Sequence, residues 1–200
     1  MIRLKTFLFL LFCLAFSSQG FSQKVVVNIF MADKKNNPKS DTIYYDFNKK
    51  LSWADFQGKP DYNHFGGAVT GSGFAFNSET DFDEDKVEIN IAVYAYFSKR
   101  NSWKKPDASP EYHLLHEQHH FDITRLGAER LVEELQKAPF TKSNYNTLTN
   151  AIFDKVYREN TALQRQYDLE TKNSIDVKKQ LEWNDRIATA IDSLRSREAQ

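Results

Sequence analysis

The sequence predicts an α+β fold, with a strand-rich N-terminal half forming an antiparallel sheet and a helical C-terminal half. Two segments, 68–77 and 86–99, alternate apolar and polar residues as half-buried strands do. Beyond residue 110 the apolar residues recur at helical spacing instead. At the junction lies His113-Leu114-Leu115-His116-Glu117-Gln118-His119-His120, which contains the pattern H-E-x-x-H. The 200 residues suit one domain with a short extension. Lys plus Arg equals Asp plus Glu at 27 each, which gives no reason to expect nucleic acid or an anionic membrane as a partner.

Residues 1–23 have the pattern of a secretory signal peptide. Arg3 and Lys5 precede an apolar run over 6–16, followed by small and polar residues. The run is shorter than the roughly twenty residues a membrane helix needs, so no membrane span is expected once the signal is cleaved. The single cysteine, Cys13, lies inside this run. A mature chain of residues 24–200 would therefore have no disulfide and no thiol chemistry, and a metal would have to be held by His, Asp or Glu. The expected location is secreted or periplasmic.

Strands are expected at 24–31, which is β-branched, and at 41–47. A polar loop containing Asn36, Asn37 and Pro38 separates them. The strands 68–77 and 86–99 read as antiparallel neighbours joined through the acidic segment 79–85, with Val87, Ile89, Ile91, Val93, Ala95 and Phe97 on one face. Ser109 and Pro110 suit the start of the next helix. Its apolar stripe is Leu114, Phe121, Ala128, Val132 and Leu135, and another row holds His113, His116, His120 and Gly127. A second helix is expected over 145–171 and a third over 176–195, with a break at Asn173-Ser174.

Residues four apart lie on one face of a helix, so His116 and His120 can grip one Zn2+, with Glu117 beside them as proton acceptor. A surface helix rich in His would show the same letters. Catalytic zinc normally takes three protein ligands and leaves a position open. The inward stripe of the second helix reads Tyr145, Leu148, Ile152, Val156, Glu159, Leu163, Tyr167 and Glu170, so Glu159 and Glu170 are candidates for the third. Eleven residues of helix separate them by about 16 Å, too far for both to reach one ion. His113 is expected to be structural, because three ligands on one straight helix crowd a tetrahedral ion. His119 is expected to face solvent. Asp122 could orient a ligand imidazole or pair locally. Tyr167 reads first as a core tyrosine, with an oxyanion role as the alternative. Trp53 and Phe56 read as core, and His64 has no evident partner.

The combination LSWADFQG (51–58), LLHEQHHFDI (114–123), YDLET (167–171) and QLEW (180–183) resembles the DUF922 family. Those proteins are regarded as secreted zinc-dependent proteases, related to the zincin peptidases through the H-E-x-x-H helix. The resemblance implies a zincin-like domain, zinc as cofactor and a peptide or protein substrate. It also implies metal ligation by His116 and His120 and a catalytic role for Glu117. The family pattern usually continues Y-D-x-E-T-x-H, and this chain has Asn173 where that His stands. If the family's third ligand is the Glu of E-T, here Glu170, the site is complete. If it is the His, Asn173 offers only a weak neutral oxygen, and Asp168 is the fallback.

The leading expectation is thus a secreted or periplasmic zinc peptidase with His116, His120 and Glu170 as ligands and Glu117 as the catalytic base. The alternative is a non-catalytic envelope binding protein on a degenerate zincin scaffold. The exported chain should begin between about Phe21 and Lys24. N-terminal sequencing checks this, and a membrane-bound protein retaining Met1 would contradict it.

Overall fold

The computed structural model describes residues 24–83, 85–107 and 111–198. The expected signal peptide and the Ser109-Pro110 helix start lie outside these residues. Alternation in β5 (Lys86–Ser98) buries Val87, Ile89, Ile91, Val93 and Phe97 completely and Ala95 almost so. Burial of one face along its whole length makes β5 the centre of the sheet. β4 (Ser72–Phe82) pairs with it antiparallel, from Ser72 opposite Phe97 to Phe82 opposite Val87. The opposite edge of β5 is shared by two shorter strands, β1 (Lys24–Met31) and β2 (Thr42–Tyr44).

The expectation of a wholly antiparallel sheet is corrected here. β1 runs parallel to β5, with Lys24 opposite Lys86 and Met31 opposite Val93. Parallel pairing requires a crossover of a dozen residues or more, and the chain between these strands is long enough to make one. The segment expected as one strand over 68–77 is divided. Ala68–Val69 forms β3, which pairs with β6 (Trp103–Lys104) in a separate two-stranded sheet.

Three helices follow: α1 (Glu111–Gln136), α2 (Tyr145–Thr171) and α3 (Val177–Glu198). One side of α1 packs on the sheet, where Phe121, Ala128, Leu131, Val132 and Leu135 join the buried face of β5 and Phe74 of β4. Its other side meets α2 and α3 in a second cluster of Ile123, Tyr167, Trp183, Ile187 and Ile191. Helix α1 is therefore enclosed on two sides, and its buried set includes His116, Glu117, Gln118, His119, Asp122, Thr124 and Arg125. Among the described residues, no helix is long and apolar enough to cross a membrane.

Gly127 marks where α2 and the sheet close on α1. A Cβ there would lie 2.5 Å from Asn160 Nδ2 and 2.9 Å from the ring of Phe74. Asn160 cannot easily withdraw, because it donates to Ile123 O at 2.9 Å. Ala has the higher helix propensity, by about 1 kcal/mol, so a local argument favours Gly127→Ala. The packing argument opposes it, and overpacking costs typically about 1–3 kcal/mol. Gly127→Ala should therefore lower stability in denaturant unfolding; a rise in stability would show that the crossing has slack.

Candidate functional site

His116 and His120 sit one turn apart on α1, their rings 4.9 Å apart and nearly perpendicular. Each is oriented by a glutamine from another helix. His116 Nδ1 lies 2.8 Å from Gln180 Oε1 of α3. The Gln180 amide nitrogen donates to Tyr167 Oη and Asn184 Oδ1, both at 2.7 Å, which assigns Oε1 as the acceptor facing His116. His120 Nδ1 lies 2.5 Å from Gln164 Oε1 of α2, whose amide nitrogen donates to His120 O and Thr124 Oγ1. Both imidazoles thus carry hydrogen on Nδ1 and direct Nε2 the other way.

Both Nε2 atoms point at the same oxygen. Asp168 Oδ1 of α2 is 2.9 Å from His120 Nε2 and 3.3 Å from His116 Nε2. The ligand atoms of this trio lie within 4.8 Å of one another. With Nδ1 protonated on both rings, all three atoms are acceptors, and a positive charge must sit among them. A proton on His120 can supply that charge. Burial disfavours it, but the hydrogen bond and charge of Asp168, with Glu117 nearby, outweigh burial and hold the His120 pKa up at about 9. Burial pushes the Asp168 carboxyl up, and the hydrogen bonds from His116 and His120 overcome this and leave it well below the usual carboxylate range.

The same donors suit a metal ion. Ligand atoms about 2.1 Å from a tetrahedral ion lie about 3.4 Å apart, near the observed Nε2–Oδ1 separations. Two imidazole nitrogens and a carboxylate, with the imidazoles fixed by outer hydrogen bonds, are a donor set typical of zinc.

Glu117 is buried next to this trio. Thr70, between β3 and β4, donates to Glu117 Oε2 at 2.7 Å. Glu117 Oε1 has no protein hydrogen bond among the described residues. The His pair, Glu117, Asp168 and Thr70 all line one cleft of about 490 Å³.

Glu170, the third ligand expected from the sequence, is not brought to the His pair. It is exposed on α2, where Gln166 Nε2 donates to it at 2.7 Å and Trp183 Nε1 at 2.8 Å; these two bonds lower its pKa. Glu159 is exposed as well, beside Lys155. The inward row of α2 turns at Val156 to Asn160, Gln164, Tyr167, Asp168 and Thr171. An apolar stripe drawn through Glu159 and Glu170 misses it, because its members beyond Val156 are mostly polar. Asp168, the sequence fallback, is the residue that joins the two histidines.

The other expectations meet mixed outcomes. His119 does not face solvent: it is buried, with Nδ1 3.0 Å from Asp122 Oδ2. Asp122 orients neither His116 nor His120. Besides His119 it binds Tyr45 and Gln118, at 2.8 Å each. Tyr167 is fully buried and stacks on His116 with ring centroids 4.6 Å apart, so it serves as a core tyrosine. His113 lines the cleft but lies outside the trio. His64 has partners after all: Gly66 N donates to its Nδ1, and its ring stacks on Phe65.

Sequence reasoning missed Gln164, Gln180 and Thr70. One signal was available, since Gln164 and Asp168 repeat on α2 the four-residue spacing of His116 and His120 on α1.

The model of a family described as bacterial protein of unknown function (DUF922) matches residues 97–174. That segment contains the trio, Glu117 and Gln164, but neither Thr70 nor Gln180. No curated protein and no solved structure matches the chain.

The raised pKa of His120 fixes the sign of a pH effect. The folded state holds this proton above the ordinary His range of about 6.5, where the unfolded chain releases it. Its contribution to stability is complete below about 6.5 and is lost as pH rises through about 9. The depressed Asp168 contributes above its ordinary range and loses that as pH falls. With a chelator present, the unfolding midpoint should therefore drop between pH 6.5 and 9, and Asp168→Asn should flatten that slope. Equal slopes in the two proteins would contradict the assignment.

Proposed function

We propose, from the match of residues 97–174 to the model of the DUF922 family of bacterial proteins of unknown function, that the chain is an exported zinc-dependent peptidase. The observation that carries the proposal is the convergence of His116 Nε2, His120 Nε2 and Asp168 Oδ1 beside the buried carboxylate of Glu117, at the wall of a cleft. His116, His120 and Asp168 would hold the ion. When bound, zinc supplies Lewis-acid polarisation of a carbonyl and acidifies water.

The remaining chemistry falls to the chain. Thr70 engages Glu117 Oε2 and leaves Oε1 as the atom that accepts a proton and returns it to the departing amine. Gln164 and Gln180 keep hydrogen on Nδ1 of the two imidazoles, so their Nε2 lone pairs remain available. The register of β3 supports a peptide substrate. Lys105 N donates to Gly67 O, and Val69 pairs with Trp103. Ala68, between these bonded pairs, therefore turns its N–H and C=O away from β6, and it lines the cleft. An extended chain could pair there through main-chain hydrogen bonds.

The alternative reading, a non-catalytic envelope binding protein, drew its support from Asn173 in place of the family's usual His. Asp168 supplies a third donor without that position, and Glu117 is present, so the peptidase reading is favoured.

Glu117→Gln should keep zinc and fold but lower hydrolysis of an unstructured casein-like substrate by about 10²–10⁴ or more, the usual effect of removing a general base. His116→Ala and His120→Ala should each abolish stoichiometric zinc. Asp168→Asn should weaken zinc binding because a charged oxygen becomes neutral, whereas Glu170→Gln should leave it unchanged. Elemental analysis and zinc titration separate these variants. A zinc-loaded wild type that cleaves nothing across a peptide library would transfer the protein to the binding reading.

A further inference from the structure

The walls of the cleft carry large apolar side chains that the fold leaves uncovered. Phe65 is 79% exposed, Ile175 78% and Tyr157 51%, and all three line the cleft. Isolated exposed hydrophobics are common on protein surfaces; several around one concave site mark a place for a ligand.

Each is held outward by a fixed framework. Phe65 stacks on the His64 ring at 4.8 Å and 18°. His64 is in turn fixed by Gly66 N on its Nδ1, by Lys105 Nζ on its carbonyl, and by edge contact with Trp103. Tyr157 stacks on Phe153 and meets the edge of Phe74 at the cleft floor. Ile175 follows Lys172, Asn173 and Ser174, whose φ angles of 49°, 52° and 67° are the only positive values among the described residues, and none of the three is glycine. L-residues resist this left-handed region, and such strain persists only where the surroundings impose it. Here Asn173 N donates to Asp168 O, Asp176 N to Thr171 O, and Tyr112 Oη to Ser174 O. The turn that aims Ile175 at the cleft is thus tied to Asp168, the residue completing the donor trio.

Charge narrows the class of occupant. Asp107, Glu117 and Asp168 line the cleft, and no Lys or Arg is among the described residues that do. The two charges of a bound zinc offset Asp168 and Glu117, which leaves Asp107 to repel an acidic side chain seated away from the ion.

We infer that the cleft selects polypeptide segments carrying a large apolar side chain next to the bond cleaved, with Ile175 and Phe65 as specificity-determining residues and acidic neighbours excluded. The inference rests on the peptidase reading for the cleavage step, but recognition can be measured without cleavage. Two unstructured fluorescent peptides identical except for a central Leu or Asp would be titrated, by anisotropy, against zinc-loaded protein carrying Glu117→Gln. The Leu peptide should bind at least tenfold tighter. Adding Ile175→Asp or Phe65→Ser should erase most of that preference without changing the thermal midpoint, since both side chains lie largely in solvent. Equal binding, preference for Asp, no binding of either peptide, or insensitivity to both substitutions overturns the inference. Cleavage by the wild type without regard to the flanking residue also overturns it, while leaving the peptidase reading intact. A Leu preference sensitive to both substitutions, with no cleavage by the wild type, upholds recognition and overturns the peptidase reading instead.

Discussion

Helix α1 is buried on two sides while carrying His, Glu, Gln, Asp, Thr and Arg in the buried surface. An unsatisfied buried polar group costs about 1–3 kcal/mol, and an unpaired charge more. The neighbouring elements must therefore bring matching groups to α1. The β3–β4 connection brings Thr70 to Glu117, and β4 brings Ser72 to Thr124. The strand-to-loop segment after β2 brings Tyr45 to Asp122, and Leu51 N meets Gln118. Helix α2 brings Gln164 and Asp168 to His120, and α3 brings Gln180 to His116. Much of what the neighbouring elements present to α1 answers its buried polar groups, with His119 Nε2 left without a hydrogen-bond partner among the described residues, and the candidate site is the part of that pattern that opens to solvent.

This arrangement also links stability to chemistry. The hydrogen bonds that orient the imidazoles are among those that join α1 to α2 and α3. Tyr167 packs on His116 on one side and on Trp183 on the other, so the second apolar cluster and the donor trio share a wall. Asp168 is the member of the trio with most access to solvent. Rigid backing with one open side is the arrangement expected where a ligand must enter and the donors must not rearrange.

Period and punctuation made the backbone legible. The alternation in β5 and the apolar spacing in α1 specify which faces are buried, and α2 spans the residues its pattern predicts. The parallel pairing of β1 was not legible, because period 2 carries no direction. On α1, the H-E-x-x-H spacing alone placed both imidazoles together. On α2 the inward row was lost because Asn160, Gln164 and Asp168 are polar, and a reading that follows apolar residues cannot see a helix face selected to bind polar groups on another helix. His119 was misplaced for the same reason: its buried setting depends on Asp122, Tyr45 and Tyr167, which only tertiary structure assembles. Distance in sequence hid the roles of Thr70 and of Gln180, although Gln180 opens the QLEW motif.

The proposed zinc site is tested most directly by zinc K-edge absorption on the purified mature protein at one equivalent of metal. The account predicts a first shell of nitrogen and oxygen at about 2.0–2.2 Å, with the outer-shell signature of two imidazoles. Asp168→Asn should alter that shell, and Glu170→Gln should leave it as it is. Failure to retain one equivalent of zinc, a shell with fewer than two imidazoles, or a shell altered by Glu170→Gln and indifferent to Asp168→Asn would contradict it.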